Sequence, residues 1–145
     1  MNDQPGLDAK IIEDVADALI ASDRSGVIMR WNHASSVLFG FSAGEALGRS
    51  LDMIIPEHLR AAHWKGFDAA IANGTMKLAG RPTLTRAQHK DGRKLYIEMT
   101  FALVRDADGA VVGSVAMARD VTERVERERA AKTAAKASAA PSQGS

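Results

Sequence analysis

The strongest constraint in this sequence is a set of three strand-like runs joined by two Asp-Gly turns. The runs cover residues 77–87, 94–104 and 111–119, and the turns contain Asp91-Gly92 and Asp108-Gly109. An Asp-Gly pair between apolar runs is a strong β-hairpin signal, because glycine readily adopts the positive φ that such turns need. The second half of the chain is therefore predicted to form an antiparallel three-stranded meander.

A second hairpin and several short helices are predicted ahead of this meander. Residues 18–23 and 27–32 are two short apolar runs separated by a Ser/Gly turn. Residues 9–21 carry apolar side chains at helical spacing, which predicts a short amphipathic helix. Further helices are predicted at 32–39, at 42–45 behind a Ser42/Glu45 capping box, and at 57–73, with a short apolar segment at 51–55. This mixture of hairpins and short helices indicates an α+β fold.

The chain changes character after Asp120. Residues 121–131 alternate Glu and Arg around Val121 and Val125, which predicts a solvated helix with one thin apolar edge. Residues 132–145 contain no large apolar side chain and are predicted to be disordered. The expected organisation is a flexible segment at 1–8, one domain at 9–120, an exit helix at 121–131 and a disordered tail at 132–145.

Composition excludes several classes of protein. The 145 residues fit one domain with a true core, and 19 basic against 18 acidic residues leave a net charge of +1, so no strong field exists to attract nucleic acid. There is no cysteine, which removes disulfides, Cys-ligated zinc and iron–sulfur clusters. We find no signal peptide, no apolar stretch of membrane-spanning length and no catalytic motif. We therefore expect a cytoplasmic protein that is not an enzyme and binds neither nucleic acid nor membrane.

In combination, several short motifs resemble those of PAS domains, over roughly residues 9–124. The residues that carry this resemblance are Trp31-Asn32, Leu38 to Ser42, Glu45, Gly48, Ile55 to Glu57, Lys90 to Gly92, and the run from Arg119 to Arg124. The resemblance implies a PAS fold, in which short helices cross one face of a five-stranded antiparallel sheet and leave a pocket between helices and sheet. Amphipathic helices are expected at both ends, and their apolar edges favour a homodimer.

His63 is the most informative candidate for ligand binding. On the predicted helix at 57–73, it shares one face with Leu59, Phe67 and Ile71, so it lies within the apolar stripe. Burial of an unpaired polar group costs roughly 1–3 kcal/mol, so an imidazole on this stripe needs a partner. Either an acceptor in the core or a metal would satisfy it.

The segment around His63 is similar to the haem-binding PAS domains of FixL-type oxygen sensors. Pro56, Glu57, Arg60 and His63 match the run that supplies the iron ligand in those sensors. The resemblance implies haem b with His63 as axial ligand. It also implies an arginine on the next strand, for which Arg81 is the candidate, and apolar contacts at the positions of Phe67, Ile71, Met99 and Phe101. A histidine paired within the core and another small apolar ligand remain alternatives.

Two functions from different classes follow. The first is a sensory module for gas or redox signals, in which ligand binding alters the sheet and the exit helix transmits the change. Its output is then either a separate signalling protein, such as a histidine kinase, or a part of a longer chain from which this one is a fragment. The alternative is a cofactor-free module for dimerisation or protein interaction.

Overall fold

One antiparallel sheet forms the centre of the molecule. A computed structural model describes residues 4–76 and 80–139. Its strands are β1 (Ala18–Asp23), β2 (Ile28–Trp31), β3 (Thr83–Gln88), β4 (Lys94–Arg105) and β5 (Val111–Asp120). The strand order is β2-β1-β5-β4-β3, and every neighbouring pair is antiparallel. The predicted α+β fold with five antiparallel strands is confirmed.

Three α-helices lie between β2 and β3 in the chain, and one further α-helix lies before β1 and another after β5. They are α1 (Leu7–Asp14), α2 (His33–Phe39), α3 (Ala43–Ala46), α4 (Arg60–Asn73) and α5 (Thr122–Ala139). Two 3₁₀ helices, Leu51–Ile54 and Glu57–Leu59, precede α4. The predicted helix at 57–73 is therefore a 3₁₀ turn followed by an α-helix.

The core lies on one face of the sheet, where strand alternation directs every second side chain. In β4, Leu95, Ile97 and Met99 are buried, and Ala116 and Ala118 of β5 lie on the same face. Helical residues and the end of β2 close this core, notably Trp31, Phe39, Ala46 and Ile54. The two-residue period therefore determines which face of the sheet the helices cover.

Short polar side chains set the ends of the central helices. The Asn32 side chain caps α2 by accepting from the amide of Ser35, and it also accepts from the amide of Leu19 in β1. Ser42 and Glu45 form the predicted capping box at α3. Each cap satisfies amide groups that a helix start leaves unpaired, so these residues determine where the helices begin.

Both Asp-Gly turns of the meander are confirmed, with φ of 91° at Gly92 and 84° at Gly109. The first strand of the meander is shorter than predicted, because β3 begins at Thr83 and not at residue 77. Pro82 immediately precedes it and has no amide hydrogen to donate to a neighbouring strand. Residues 77–79 lie outside the described part of the chain.

Both terminal helices differ in extent from the prediction. Helix α1 covers 7–14 in place of 9–21, because Val15 is extended and residues 18–21 belong to β1. The expected flexible segment at 1–8 therefore loses Leu7 and Asp8 to α1, and residues 1–3 lie outside the described chain. Helix α5 continues beyond residue 131 to Ala139, so the predicted disorder is wrong for 132–139. The alanines and lysines of this stretch have high helix propensity, which does not require a buried face. Residues 140–145 lie outside the described chain.

Candidate ligand-binding site

Helix α4 covers two adjoining hollows above the inner face of the sheet. One is a more enclosed cavity of about 100 Å³ lined by residues of α4, the 3₁₀ helices and four strands. The other is an open groove of about 340 Å³ along the second half of α4. Four residues line both, namely His63, Phe67, Phe101 and Ser114. Only Ile71 of α4 is buried, so this helix spans the space without filling it.

The imidazole of His63 lies in the wall shared by the cavity and the groove. Its Nδ1 is buried and has no hydrogen-bond partner among the described residues. The ring stacks on Phe67, with centroids 6.0 Å apart and an interplanar angle of 23°, and meets Trp64 edge-on at 4.7 Å. The predicted inward orientation of His63 therefore leaves a polar atom without a partner within residues 4–76 and 80–139.

Burial sets the charge of this imidazole. Desolvation lowers the pKa of His63 below its usual value of 6.5, and the nearby carboxylates Asp52 and Asp68 only partly oppose this effect. The ring is consequently neutral at neutral pH. A neutral imidazole can accept a hydrogen bond or bind a metal, whereas a protonated one can do neither.

The other predicted contact residues divide into two groups. Phe67, Met99 and Phe101 line the hollows together with His63, and Met99 is buried. Ile71 is also buried, but it lines neither hollow. The predicted apolar stripe on α4 is thus present. Ile71, near the C-terminal end of the helix, is buried, and Phe67, in its middle, lines the candidate ligand site.

Arg81 does not lie where the resemblance placed an arginine. Arg81 precedes β3, is exposed and lines neither hollow, so its expected placement in the pocket is corrected. Arg86 belongs to β3 and contributes to the cavity wall. However, it pairs with Tyr96, and strand alternation directs both side chains away from the face of Ala87 and Leu95.

Two serines that the sequence analysis missed form a polar patch in the cavity wall. Ser22 of β1 and Ser114 of β5 are direct cross-strand partners, and their hydroxyl oxygens lie 3.0 Å apart. Both are buried, with exposed fractions of 1% and 9%. Serine is common in turns and on surfaces, so only its inward position in an alternating strand could have indicated this role.

Trp64 attaches the start of α4 to the segment before it. Its indole N–H donates to Oδ1 of Asp52 in the first 3₁₀ helix, at 2.7 Å. The edge of the same ring lies against Gly26 in the turn between β1 and β2, where a Cβ atom would come within 2.2 Å of it. Arg60 donates to the carbonyl of Ile55 at 3.0 Å. The first turn of α4 is thus held to the body of the domain.

Strand β4 connects the hollow to the exit helix. Its residues Met99 and Phe101 line the cavity, and the amide of Tyr96 donates to the hydroxyl of Thr122 at 2.9 Å. Asp120 accepts from the amide of Thr122 at 2.9 Å and so caps the start of the helix. Farther along α5, the guanidinium of Arg129 lies 4.8 Å from the centre of the Tyr96 ring. Direct contacts therefore join β4 to α5.

This arrangement of a sheet, helices on one face and an enclosed hollow is that of an α+β sensory domain. The chain belongs to the PAS family, since the family model described as PAS fold matches residues 7–121. The fold that the motifs implied is thereby confirmed.

Curated relatives include sensor proteins. The chain is 29% identical over 103 residues to the oxygen sensor protein DosP of Escherichia coli, covering 70% of this chain and 13% of DosP. It is 24% identical over 113 residues to the sensor protein FixL of Bradyrhizobium diazoefficiens, covering 78% of this chain and 22% of FixL. The chain thus spans less than a quarter of the length of either relative.

A solved PAS domain from Colwellia psychrerythraea has the same fold. Its TM-score with this chain is 0.72 at 26% identity, and the match covers 83% of this chain and 99% of that domain. Within 4–76 and 80–139, no helix combines the length and the apolar character needed to cross a membrane.

Proposed function

We propose that this PAS domain is a sensory module that binds haem b between α4 and the sheet, with His63 as the axial ligand. The observation that carries the proposal is the buried Nδ1 of His63, which has no partner in the described protein and faces an apolar hollow. When bound, haem supplies an iron centre that can take up a gas or change its redox state.

The side chains present fit this group. The neutral imidazole of His63 is a suitable axial ligand, and the thioether of Met99 is a second possible ligand in the same cavity. The described residues contain no cluster of three or more His, Asp or Glu that could hold a bare metal ion. Iron at this site would therefore have to be bound within a porphyrin. The groove of about 340 Å³ adjoins the smaller cavity of about 100 Å³ at His63, and α4 would have to move away from the sheet to admit a group as large as haem.

Each lining residue has a defined task in this proposal. His63 holds the ligand from the α4 side, and the stacked ring of Phe67 limits rotation of the imidazole. Met99 and Phe101 exclude water from the sheet side. Because both belong to β4, a ligand that favours one arrangement of this strand shifts the position of α5 as well.

We propose gas or redox sensing with a signalling partner such as a histidine kinase. The names of DosP and FixL both describe sensors, and similarity to the histidine-protein kinase AtoS of Escherichia coli supports the kinase. We propose a homodimer as the assembled form, since Leu7 and Ile11 of α1 and Val37 of α2 are exposed apolar residues.

An absorption spectrum tests the haem proposal directly. The full chain, as purified and after addition of haemin, should show a Soret band. His63→Ala should lose it, whereas His58→Ala should keep it, because His58 is exposed and lines neither hollow. A colourless wild-type protein that takes up no haemin overturns the proposal.

The second candidate function is a cofactor-free dimerisation module. The exposed apolar residues of α1 and α2 favour it, because Ile11 is 57% exposed and Val37 is 68% exposed. In that case the wild-type chain is dimeric without haem, and Ile11→Asp makes it monomeric in light scattering, whereas Val112→Asp on the partly exposed strand β5 leaves it dimeric.

A further inference from the structure

The buried serine pair lies in the wall of the same cavity as His63, but the haem proposal gives it no task. Ser22 and Ser114 are on the sheet, across the hollow from His63 on α4. We propose that Ser114 is a specificity-determining contact that favours a ligand carrying a hydrogen-bond donor. This inference depends on the proposed function only in requiring that a ligand enters the hollow.

The hydrogen bonds of the pair define what Ser114 can offer. A serine hydroxyl has one hydrogen to donate and two lone pairs with which to accept. The Ser22 hydroxyl lies 3.1 Å from the carbonyl oxygen of Asp23 and donates to it. The remaining contact of 3.0 Å between the two hydroxyls then has Ser114 as donor and Ser22 as acceptor. The hydrogen of Ser114 is thereby used within the protein, and its lone pairs remain available.

A ligand donor therefore binds without any rearrangement of the pair. A ligand that can only accept needs the opposite arrangement, in which Ser22 donates to Ser114 and Ser114 donates to the ligand. That arrangement gives up the bond to the Asp23 carbonyl, although this oxygen still accepts from the amide of Gly26. The loss of one internal hydrogen bond corresponds to a preference of roughly fivefold for the donor ligand.

The position of Ser114 makes this contact accessible to ligands of different size. Ser114 lines both the cavity and the groove, whereas Ser22 lines the cavity alone. The surrounding wall is mainly apolar, with Phe67, Met99 and Phe101 nearby. Polar contacts are few in this wall, so each one orients a ligand strongly, because its loss leaves a polar group unpaired.

Two small probes of nearly equal shape test the inference. 2-Propanol donates and accepts hydrogen bonds, whereas acetone only accepts. Each is titrated into the full chain in its haem-free form, and the dissociation constants are measured from amide chemical shifts by NMR. Wild-type protein should bind 2-propanol roughly fivefold more tightly than acetone. Ser114→Ala should remove the preference, and Ser25→Ala, at an exposed turn position, should retain it.

The possible outcomes separate this inference from the proposed function. Equal affinities in the wild type, or a preference that persists in Ser114→Ala, overturn the role of Ser114. The wild-type comparison needs no variant, so it decides the question even if Ser114→Ala does not fold. If neither probe binds but haemin still binds through His63, the serine inference fails and the haem proposal stands. If neither the probes nor haemin bind, both fail.

Discussion

The indole N–H of Trp64 donates to Oδ1 of Asp52 at 2.7 Å and thereby attaches α4 to the 3₁₀ helix at Leu51–Ile54. This bond lies one residue from the candidate ligand His63, whose ring contacts Trp64 edge-on. Ile71 is the only buried residue of α4, so this hydrogen bond is a large part of what holds the helix over the hollow.

Trp64→Phe should loosen α4, because phenylalanine keeps an aromatic ring but cannot donate to Asp52 and is too short to reach Gly26 as the indole does. We expect a loss of about 0.5–1.5 kcal/mol in local stability, which native-state hydrogen exchange of the α4 amides would detect. Asp52→Asn is the matched control, since its side-chain oxygen can still accept from the indole. Unchanged exchange in Trp64→Phe would mean that the bond does not hold the helix.

Gly113→Ala should be among the most destabilising small substitutions in the domain. A Cβ atom at this position of β5 would lie 1.9 Å from the backbone oxygen of Ser22 in β1, so the two strands would have to separate. We expect a loss of at least about 2 kcal/mol in the free energy of unfolding, measured by urea denaturation.

Gly66→Ala is the control for this substitution. Gly66 lies within α4, and a Cβ atom there would meet nothing within 4 Å. Because alanine favours the helix more than glycine does, this variant should gain about 0.5–1 kcal/mol. Equal effects of the two variants would contradict the close approach of β1 and β5.

His63 should make the stability of the haem-free protein depend on pH. Burial lowers its pKa below 6.5, so the unfolded chain takes up the proton first as the pH falls. Stability therefore declines below about pH 6.5 and stops declining once the folded protein is protonated as well. Above that window, the imidazole is neutral in both states and contributes no slope.

His63→Leu tests this dependence, because leucine cannot be protonated. Urea denaturation between about pH 7.5 and about pH 5 should give a shallower loss of stability for the variant than for the wild type. Parallel curves would show that His63 is not buried as described.

Val125→Ala should release α5 from the sheet. Val125 is 5% exposed and is one of two buried valines at the start of this helix, the other being Val121. Removal of two buried methyl groups should cost about 1.5 kcal/mol, and circular dichroism should show reduced helix content. Val37→Ala removes the same groups from a side chain that is 68% exposed, so it should change little. A fully helical Val125→Ala variant of unchanged stability would contradict the packing of α5.

Much of the fold could be predicted because its signals are local. The Asp-Gly turns, the Ser42/Glu45 capping box and strand alternation depend on residues within a few positions of one another. The inward position of His63 followed from helical spacing alone. The extent of α5 was not predicted correctly. The prediction of disorder rested on the small apolar area that the segment can bury and left out the helix propensity of its alanines.

The candidate ligand site was harder to predict because it is assembled from distant strands. Ser22 and Ser114 are 92 positions apart in sequence, and their pairing depends on the register between β1 and β5. The misplacement of Arg81 has a similar origin, since the beginning of β3 at Thr83 decides which residues belong to the sheet. Sequence spacing predicts which side chains share one face of a helix or strand, but it does not predict the register between two strands.

The length of α5 turns a small tilt at its base into a larger displacement at its far end. Its base is fixed to β4 through Thr122 and Tyr96, and its 18 residues extend the helix well past that attachment. At a rise of about 1.5 Å per residue the helix measures roughly 27 Å, so a tilt of about 5° at the base displaces the far end by about 2 Å. A helix of this length thus converts a small rotation at its base into a displacement of about 2 Å at its far end.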